Sequence, residues 1–551
     1  MKLFPCILLF ALILDVGAPG QTRPIPHDIR SLRGDVGTSS VPVALPLTRS
    51  LRASGEDWNR SMNGHLNPGD SVDTSPIVEF MLDTGATQSW DEQGHQRRIN
   101  DGILWVQGPP ALQERVDRLL GPLLERRRRT LRATLRSLAE IDEAAIPGIV
   151  LERGDAQTLS GEAPITISVD LRTGRTTRLA AQRSRALVVD YDVEVAEKSA
   201  IADPRVISFP EGIEMDLTVR AAPDGKLFLE WTARASLAEG PPPSMQTPYG
   251  RLSLPRCQSL VTAGSALIVN GGGVVMGSRT AGGPWLLTVE GPTIQDTGIE
   301  CAPLVTPSRR LALPVEVGIV PSSGSHEVDD MDSDCESLIE FDDLTENLRG
   351  EDTDLVTWDG AVWIQKDPER LASGRKFVAS LVRRLARTVG VEVRWGLLSS
   401  AEATSADAAG LAEKLDHIGR ISGRLGDDLL LLAGKEQNYV KDYDVEIASD
   451  AQIGDVVVAT LFQGLGLKLR AAAAGNDRVL LTGDLSFQLV EETDREFPSE
   501  QPKMGSVQTP RTRMVTGNPR ASVTLGAWHV LHVGSLGPGA PSFVVVVRAG
   551  L

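Results

Sequence analysis

The sequence predicts an α+β protein made of two copies of one plan: a small α/β module followed by a β-rich module. Three observations carry this. Val188-Val189-Asp190-Tyr191-Asp192-Val193-Glu194-Val195-Ala196 returns as Val440-Lys441-Asp442-Tyr443-Asp444-Val445-Glu446-Ile447-Ala448. A period of about 250 residues is a duplicated domain or domain pair, not a solenoid unit. Around 75–138 and again around 355–396, a strand, a proline turn and an amphipathic helix follow one another. After each of these comes a longer stretch of alternating apolar and polar residues with turn signals, the pattern of antiparallel strands.

Taken in order, residues 1–20 form a secretory signal: Lys2, the apolar stretch Leu3 to Leu14, and the small residues Ala18-Pro19-Gly20. The apolar run is short for a bilayer span, which takes about 20 residues. Residues 21–74 are rich in Pro, Gly, Ser and Asp and read as a disordered lead-in. In the first small module (75–138), Ile103-Leu104-Trp105-Val106 is a strand and Gly108-Pro109-Pro110 breaks it. Leu112, Val116, Leu119, Leu120 and Leu123 then recur at helical spacing, and Thr130–Leu135 is the closing strand. The second copy gives Asp359–Gln365, a helix after Pro368, and Arg387–Arg394. The β-rich modules cover 139–320 and 397–551. Each contains a hairpin, Ile213–Val219 with Leu227–Ala233 and Leu465–Leu469 with Val479–Leu485, and each ends in an apolar strand, Trp285–Val289 and Phe543–Val547. An acidic linker, 321–354, separates the copies.

A formal net charge of −17 excludes nucleic acid as the main partner, since phosphate neutralisation needs a basic surface. Hydrophobic residues make up 41% of the chain, enough for packed cores. Cys6 leaves with the signal, and Cys257, Cys301 and Cys335 remain. Cys257 and Cys301 lie in one copy and are the candidate pair; the second copy has no Cys, so a disulfide is optional to the fold.

Ser89-Trp90-Asp91-Glu92, then Gly102–Val106, then Pro110–Leu120 resemble the N-domain of the bacterial secretin superfamily, in which a strand is followed by a proline-led helix. The Tyr-Asp-Val-Glu-Val string, the Gly212-led hairpin and the Gly271-Gly272-Gly273 turn before a final apolar strand are similar in order to a secretin β-domain. The resemblance implies a non-enzymatic, exported cell-envelope protein, periplasmic or associated with the outer membrane. It implies work through protein partners or self-association, possible extracellular exposure and a link to protein secretion. The polar residues Glu214, Asp216, Arg220, Glu230 and Arg234 on the hairpin suit water, and no later segment has the apolar run of a transmembrane helix.

The rival reading is catalytic. Leu82-Asp83-Thr84-Gly85-Ala86 reads like the active-site loop of retroviral-type aspartic proteases, with Asp83 as one half of a proton-sharing carboxylate dyad and Thr84 and Gly85 shaping its loop. The matching segment of the second copy, Phe341–Glu346, lacks Asp-Thr-Gly. A third reading is a structural or binding envelope protein with no secretion role. No cofactor or metal site is expected. Asp330, Asp332 and Asp334 alternate as in a calcium loop, but Cys335 and Phe341 stand where such a loop needs Gly and Glu. His529 and His532 read as strand-edge residues, Arg126–Arg129 as the basic end of a helix, and Gly271–Gly273 as a turn.

Overall fold

The structure is a computed structural model. It describes residues 25–28, 96–100, 103–107, 130–292 except 162, 174–175, 197–198, 222–224 and 248–249, then 302–303, 354–358, 361–365, and 387–550 except 449–450, 475–476, 493–495 and 499–505. The chain divides into two compact units, one formed by 1–33 with 73–127 and the other by 34–72 with 128–551. In the first unit, β1 (Ile25–Asp28), β2 (Gln96–Asn100) and β3 (Ile103–Gln107) make an antiparallel sheet with β3 central.

The second unit is dominated by two nine-stranded antiparallel sheets. The first half of its chain supplies β4 (Thr130–Ser137), β5 (Val150–Leu151), helix α1 (Arg153–Thr158), β6 (Thr166–Arg172), β7 (Thr176–Ala196), β8 (Ser199–Ala221) and β9 (Lys226–Ala238). It continues with β10 (Ser244–Thr247), β11 (Gly250–Ser253), β12 (Arg256–Val269), β13 (Gly273–Ser278) and β14 (Trp285–Glu290). A separate three-stranded sheet is made by β15 (Ala302–Pro303), β16 (Asp354–Trp358) and β17 (Ala361–Gln365). The second half supplies β18 (Thr388–Leu398), α2 (Ser400–Ser405), α3 (Ala408–Lys414), β19 (His417–Arg424), β20 (Asp428–Ala448), β21 (Ala451–Ala473) and β22 (Arg478–Glu492). It ends with β23 (Glu496–Pro498), β24 (Ser506–Gln508), β25 (Arg511–Gly517), β26 (Arg520–Thr524), β27 (Trp528–Ser535) and β28 (Ser542–Gly550).

The long-stranded sheet runs β25-β22-β21-β20-β12-β9-β8-β7, with β26 also on β22; the other runs β27-β28-β18-β19-β13-β14-β4-β6, with β5 on β13. Each sheet is thus one four-strand order used twice: β25-β22-β21-β20 matches β12-β9-β8-β7, and β27-β28-β18-β19 matches β13-β14-β4-β6. The register agrees residue by residue. Gly212 on β8 faces Gln182 on β7 and Ser236 on β9; Gly464 on β21 faces Gly434 on β20 and Gln488 on β22. Both glycines have positive φ, 131° and 151°, and each lies against a backbone carbonyl of the preceding strand, Ala181 and Ala433.

The core lies between the sheets. Ile213, Met215, Leu217, Leu465, Leu467 and Leu469 from one sheet meet Leu135, Trp285, Leu287, Val391, Val393 and Val545 from the other. A second layer explains the apolar terminal strands. Val544 and Val546 face Leu411, Ala412 and Leu415 of the α3 segment, while Leu286 and Val275 face Ala156 and Leu159 around α1. Strands β14 and β28 are therefore covered on both faces, which removes the alternation expected of a half-solvated strand. Ser399 caps α2: its side chain accepts from the Glu402 N–H, and Glu402 reaches back to the Ser399 N–H.

The α+β expectation is corrected. The described chain is mostly β, and its three α-helices have six, six and seven residues. The expected helices at 111–124 and after Pro368 lie outside the described residues. The strands are also longer than the sequence pattern suggests: the Asp-Tyr-Asp-Val-Glu strings lie at the far ends of 21-residue strands, β7 and β20. The first half of β7, Thr-Thr-Arg-Leu-Ala-Ala-Gln-Arg-Ser-Arg, carries too few apolar residues to alternate, because it is the outermost strand of its sheet. Among the described residues no helix is long and apolar enough to cross a membrane; strands are a separate matter.

Candidate functional site

The sequence-derived candidates do not converge. Asp83, Thr84 and Gly85 lie outside the described residues, as do Arg126–Arg129, the Asp330–Asp334 run and Cys301. Gly271–Gly273 is the crossover from β12 to β13. His529 and His532 sit on β27 on either side of a register shift; the His529 ring nitrogen Nε2 accepts from the Thr524 N–H at 2.9 Å, and burial lowers the His532 pKa. Cys257 is a free, buried thiol whose pKa is pushed up by burial, so it stays protonated. Among the described residues no three His, Cys, Asp or Glu side chains converge as metal ligands.

Chemistry instead concentrates where the two halves join. In the long sheet, β12 of the first half pairs with β20 of the second, from Arg256 opposite Gln437 to Ala263 opposite Leu430. In the other sheet, Gly277 and Ser278 of β13 pair with Arg420 and Gly419 of β19. The sequence Leu429-Leu430-Leu431-Leu432 fits this place. Leu429 and Leu431 enter the core between the sheets, and Leu430 and Leu432 pack on the far face with Val261, Ala263 and Phe462. A buried polar cluster bridges the same seam. The Ser265 hydroxyl donates to Asp427 Oδ2 at 2.7 Å and accepts from the Arg424 N–H at 3.0 Å. The Arg424 guanidinium donates to both carboxylate oxygens of Asp427, at 2.9 and 3.3 Å, and lies 4.4 Å above the Phe228 ring. In the second sheet, Arg420 donates to Glu143 of the first half, while Glu392 accepts from Arg548 at 2.9 Å and Arg394 at 3.1 Å.

The sheet ends repeat this seam with no partner strand among the described residues. At one end β7 and β6 stand in the places of β20 and β19; at the other β25, β26 and β27 stand in the places of β12 and β13. The chain even crosses between sheets at matching points: β6 to β7 and β19 to β20, β12 to β13 and β26 to β27. Three of the exposed large hydrophobics lie on these end strands, Met514 on β25 with Val530 and Val533 on β27. Arginines line the end strands of the long sheet as well. Arg183 and Arg185 on β7 both pair with the buried Glu211, the second at 3.0 Å; Arg513 on β25 pairs with Glu491 and donates to the Leu536 carbonyl at 3.0 Å.

No family model and no curated protein matches the chain. Among solved structures, similarity is found to the InvG secretin domain β-barrel of the Salmonella SPI-1 injectisome, at 10% identity and TM-score 0.18, covering 38% of this chain and 78% of that one. It is also found to the V. cholerae type IV competence pilus secretin PilQ, at 12% identity and TM-score 0.17, covering 38% and 74%. A third is the E. coli K12 type II secretion system secretin GspD, at 9% identity and TM-score 0.18, covering 87% and 86%. All three carry the family name that the sequence motifs resembled. TM-scores this low leave the case for function to the seam and the edges.

Sequence reasoning passed over both. The Arg-rich run Arg178–Arg185 was a visible signal: basic residues at close spacing on a strand without an apolar face mark a sheet edge. The Leu429–Leu432 run marked the inner seam in the same way, as a strand buried on both faces. The Ser265–Asp427–Arg424 cluster had no such signal, since its members are brought together only by the β12–β20 pairing.

Proposed function

We propose that the two halves are a tandem repeat of one secretin-like unit, and that the chain works by assembly, joining copies of itself head to tail. The observation that carries this is the match between the inner seam and the free ends. A surface that pairs β12 with β20 inside the chain is offered again, as β25 and β7, at its two ends. Such a contact joins two different surfaces, and repeated with a constant rotation it closes a ring. Closure would leave neither sheet with an unpaired edge, which is the stable outcome for a long antiparallel sheet. The export signal expected at residues 1–20 and the secretin-like order of motifs support a place in the cell envelope, periplasmic or against the outer membrane, in protein secretion.

The test follows from register. At the inner seam Ser259 faces Gly434. The residues in those places at the free ends are Met514, which faces Gln488, and Gln182, which faces Gly212. With the native cysteines replaced by serine, the double variant Gln182→Cys, Met514→Cys is expected to form a ladder of disulfide-linked chains in oxidising phosphate buffer. Negative-stain images should show rings. A chain that stays monomeric and uncross-linked under these conditions overturns the reading.

Assembly is also the proposal in place of catalysis. The purified chain is expected to leave peptide substrates intact at acid pH, and Asp83→Asn to behave identically. Acid-dependent cleavage that disappears in Asp83→Asn would reinstate the peptidase.

A further inference from the structure

We infer that the chain-to-chain seam holds an oxyanion site that controls assembly. This rests on the head-to-tail reading above, and on how the free ends differ from the inner seam. From Leu429 to Leu432 the inner seam is apolar on both faces, and it is tied by Ser265, Asp427 and Arg424. At the ends these features are replaced. Arg178 and Ala180 stand in the places of Leu430 and Leu432, since each faces the β8 residue that matches its β21 partner. Arg520 stands in the place of Ser265, as the residue across from Thr482 where Ser265 is across from Glu230.

The sharpest difference lies one step from the proposed cross-link. On the core face of the long sheet, Leu179 and Val515 still reach the apolar core, and beyond them the same face carries Arg183 and Arg185 on β7 and Arg513 and Arg511 on β25. In the register of the inner seam, Arg183 comes opposite Arg513 and Arg185 opposite Arg511. The matching inner-seam residues are Lys435 opposite Gln258 and Gln437 opposite Arg256, and there Lys435 is balanced by Glu239 at 2.7 Å. Among the described side chains at the chain-to-chain seam, four guanidinium groups meet two carboxylates, Glu211 and Glu491, and Glu492 stands across from Arg511. Like charges directly opposite on neighbouring strands oppose pairing. The arginine side chains remain reachable at the free ends, with 73% of Arg183 and 34% of Arg513 exposed. Guanidinium groups on facing strands offer forked N–H pairs, the geometry that takes a phosphate-type oxyanion. Until an anion bridges them, the same arginines keep the edges apart. The ligand chemistry is a phosphate-type oxyanion, free or carried on a lipid headgroup.

The test is the rate of Gln182–Cys to Met514–Cys cross-linking, read by non-reducing gel and by sedimentation. It is compared in sodium chloride, in millimolar inorganic pyrophosphate at equal ionic strength, and with vesicles of phosphatidylcholine with or without phosphatidylglycerol. Pyrophosphate is expected to speed cross-linking at least tenfold over chloride. Adding Arg183→Gln and Arg513→Gln is expected to raise the chloride rate and remove the pyrophosphate effect. An effect of phosphatidylglycerol vesicles and none of pyrophosphate assigns the site to a lipid headgroup; the reverse assigns it to a free anion. Equal rates in chloride, pyrophosphate and both vesicle types overturn the oxyanion site and leave head-to-tail assembly standing. So does a chloride titration that reaches the pyrophosphate rate, because that is screening alone. No cross-linking under any condition, in either charge background, overturns both readings.

Discussion

Asp427→Ala is expected to destabilise the chain by about 3–5 kcal/mol, the cost of leaving one member of a buried ion pair behind. Arg424 has only 3% of its side chain exposed, and Asp427 takes two of its guanidinium donors while also accepting from Ser265. The substitution removes the carboxylate that takes two of its donors and leaves the guanidinium buried above Phe228, 3.8 Å from the Glu230 carboxylate. The position matters as much as the burial. Ser265 belongs to β12 of the first half, and Arg424 and Asp427 lie at the crossover from β19 to β20 in the second. The cluster therefore fastens one half to the other in both sheets at once. The measurement is the urea midpoint followed by the fluorescence of the buried Trp231, Trp285 and Trp395. Asp170→Ala is the comparison. Asp170 pairs with Arg132 at 3.0 Å on the outer strand β6, with both side chains more than half exposed, and its loss should leave the midpoint unchanged. Equal midpoints for the two variants would mean that the inner seam is held by its leucines alone.

The contrast between these two carboxylates shows what a sequence can and cannot disclose. The hairpins at 213–233 and 465–485, the strand at Thr130 and the apolar final strands were legible because burial of one or both faces imposes a periodicity. The strand lengths were not. Beyond the sandwich, β7, β8, β20 and β21 continue on their own, and Tyr191 and Tyr443 pack there with Leu252, Leu254, Val440 and Val456 rather than into the main core. Alternation tied to one core therefore fades before the strand ends, and the sequence looks like two elements where there is one. Edge strands hide for the opposite reason: Arg183 and Arg185 look like loop residues because their strand is the outermost of its sheet among the described residues and their side chains stay exposed. The repeated string gave the period, yet its tyrosines say nothing about which strands meet between halves. That pairing joins residues more than 160 positions apart, as Ser265 joins Asp427 across 162, and no local pattern encodes it.

Gly212→Ala and Gly464→Ala make the same lesion in the two halves and should give different results. A Cβ on Gly464 would lie 2.4 Å from the Ala433 carbonyl oxygen, and one on Gly212 would lie 2.0 Å from that of Ala181. Both contacts are with backbone, so no side-chain rotation relieves them, and φ values of 151° and 131° are strained for alanine in any case. The ladder must part locally. For Gly464 the displaced strand is β20, which is also the second half's side of the inner seam. Distorting it loosens the β20–β12 pairing and the packing of Leu429 and Leu431, and the expected loss of stability is about 3 kcal/mol or more. For Gly212 the displaced strand is β7, whose one ladder partner among the described residues is β8. An outermost strand can shift with little effect on the rest of the sheet, so the unfolding midpoint should fall less. The surface that shifts, however, is the one that carries Gln182, Arg183 and Arg185. Gly212→Ala should therefore abolish the Gln182–Met514 cross-link while most of the fold persists, and Gly464→Ala should lower stability in monomer and assembly alike. Cross-linking at the wild-type rate in Gly212→Ala would mean that β7 does not form the joining edge.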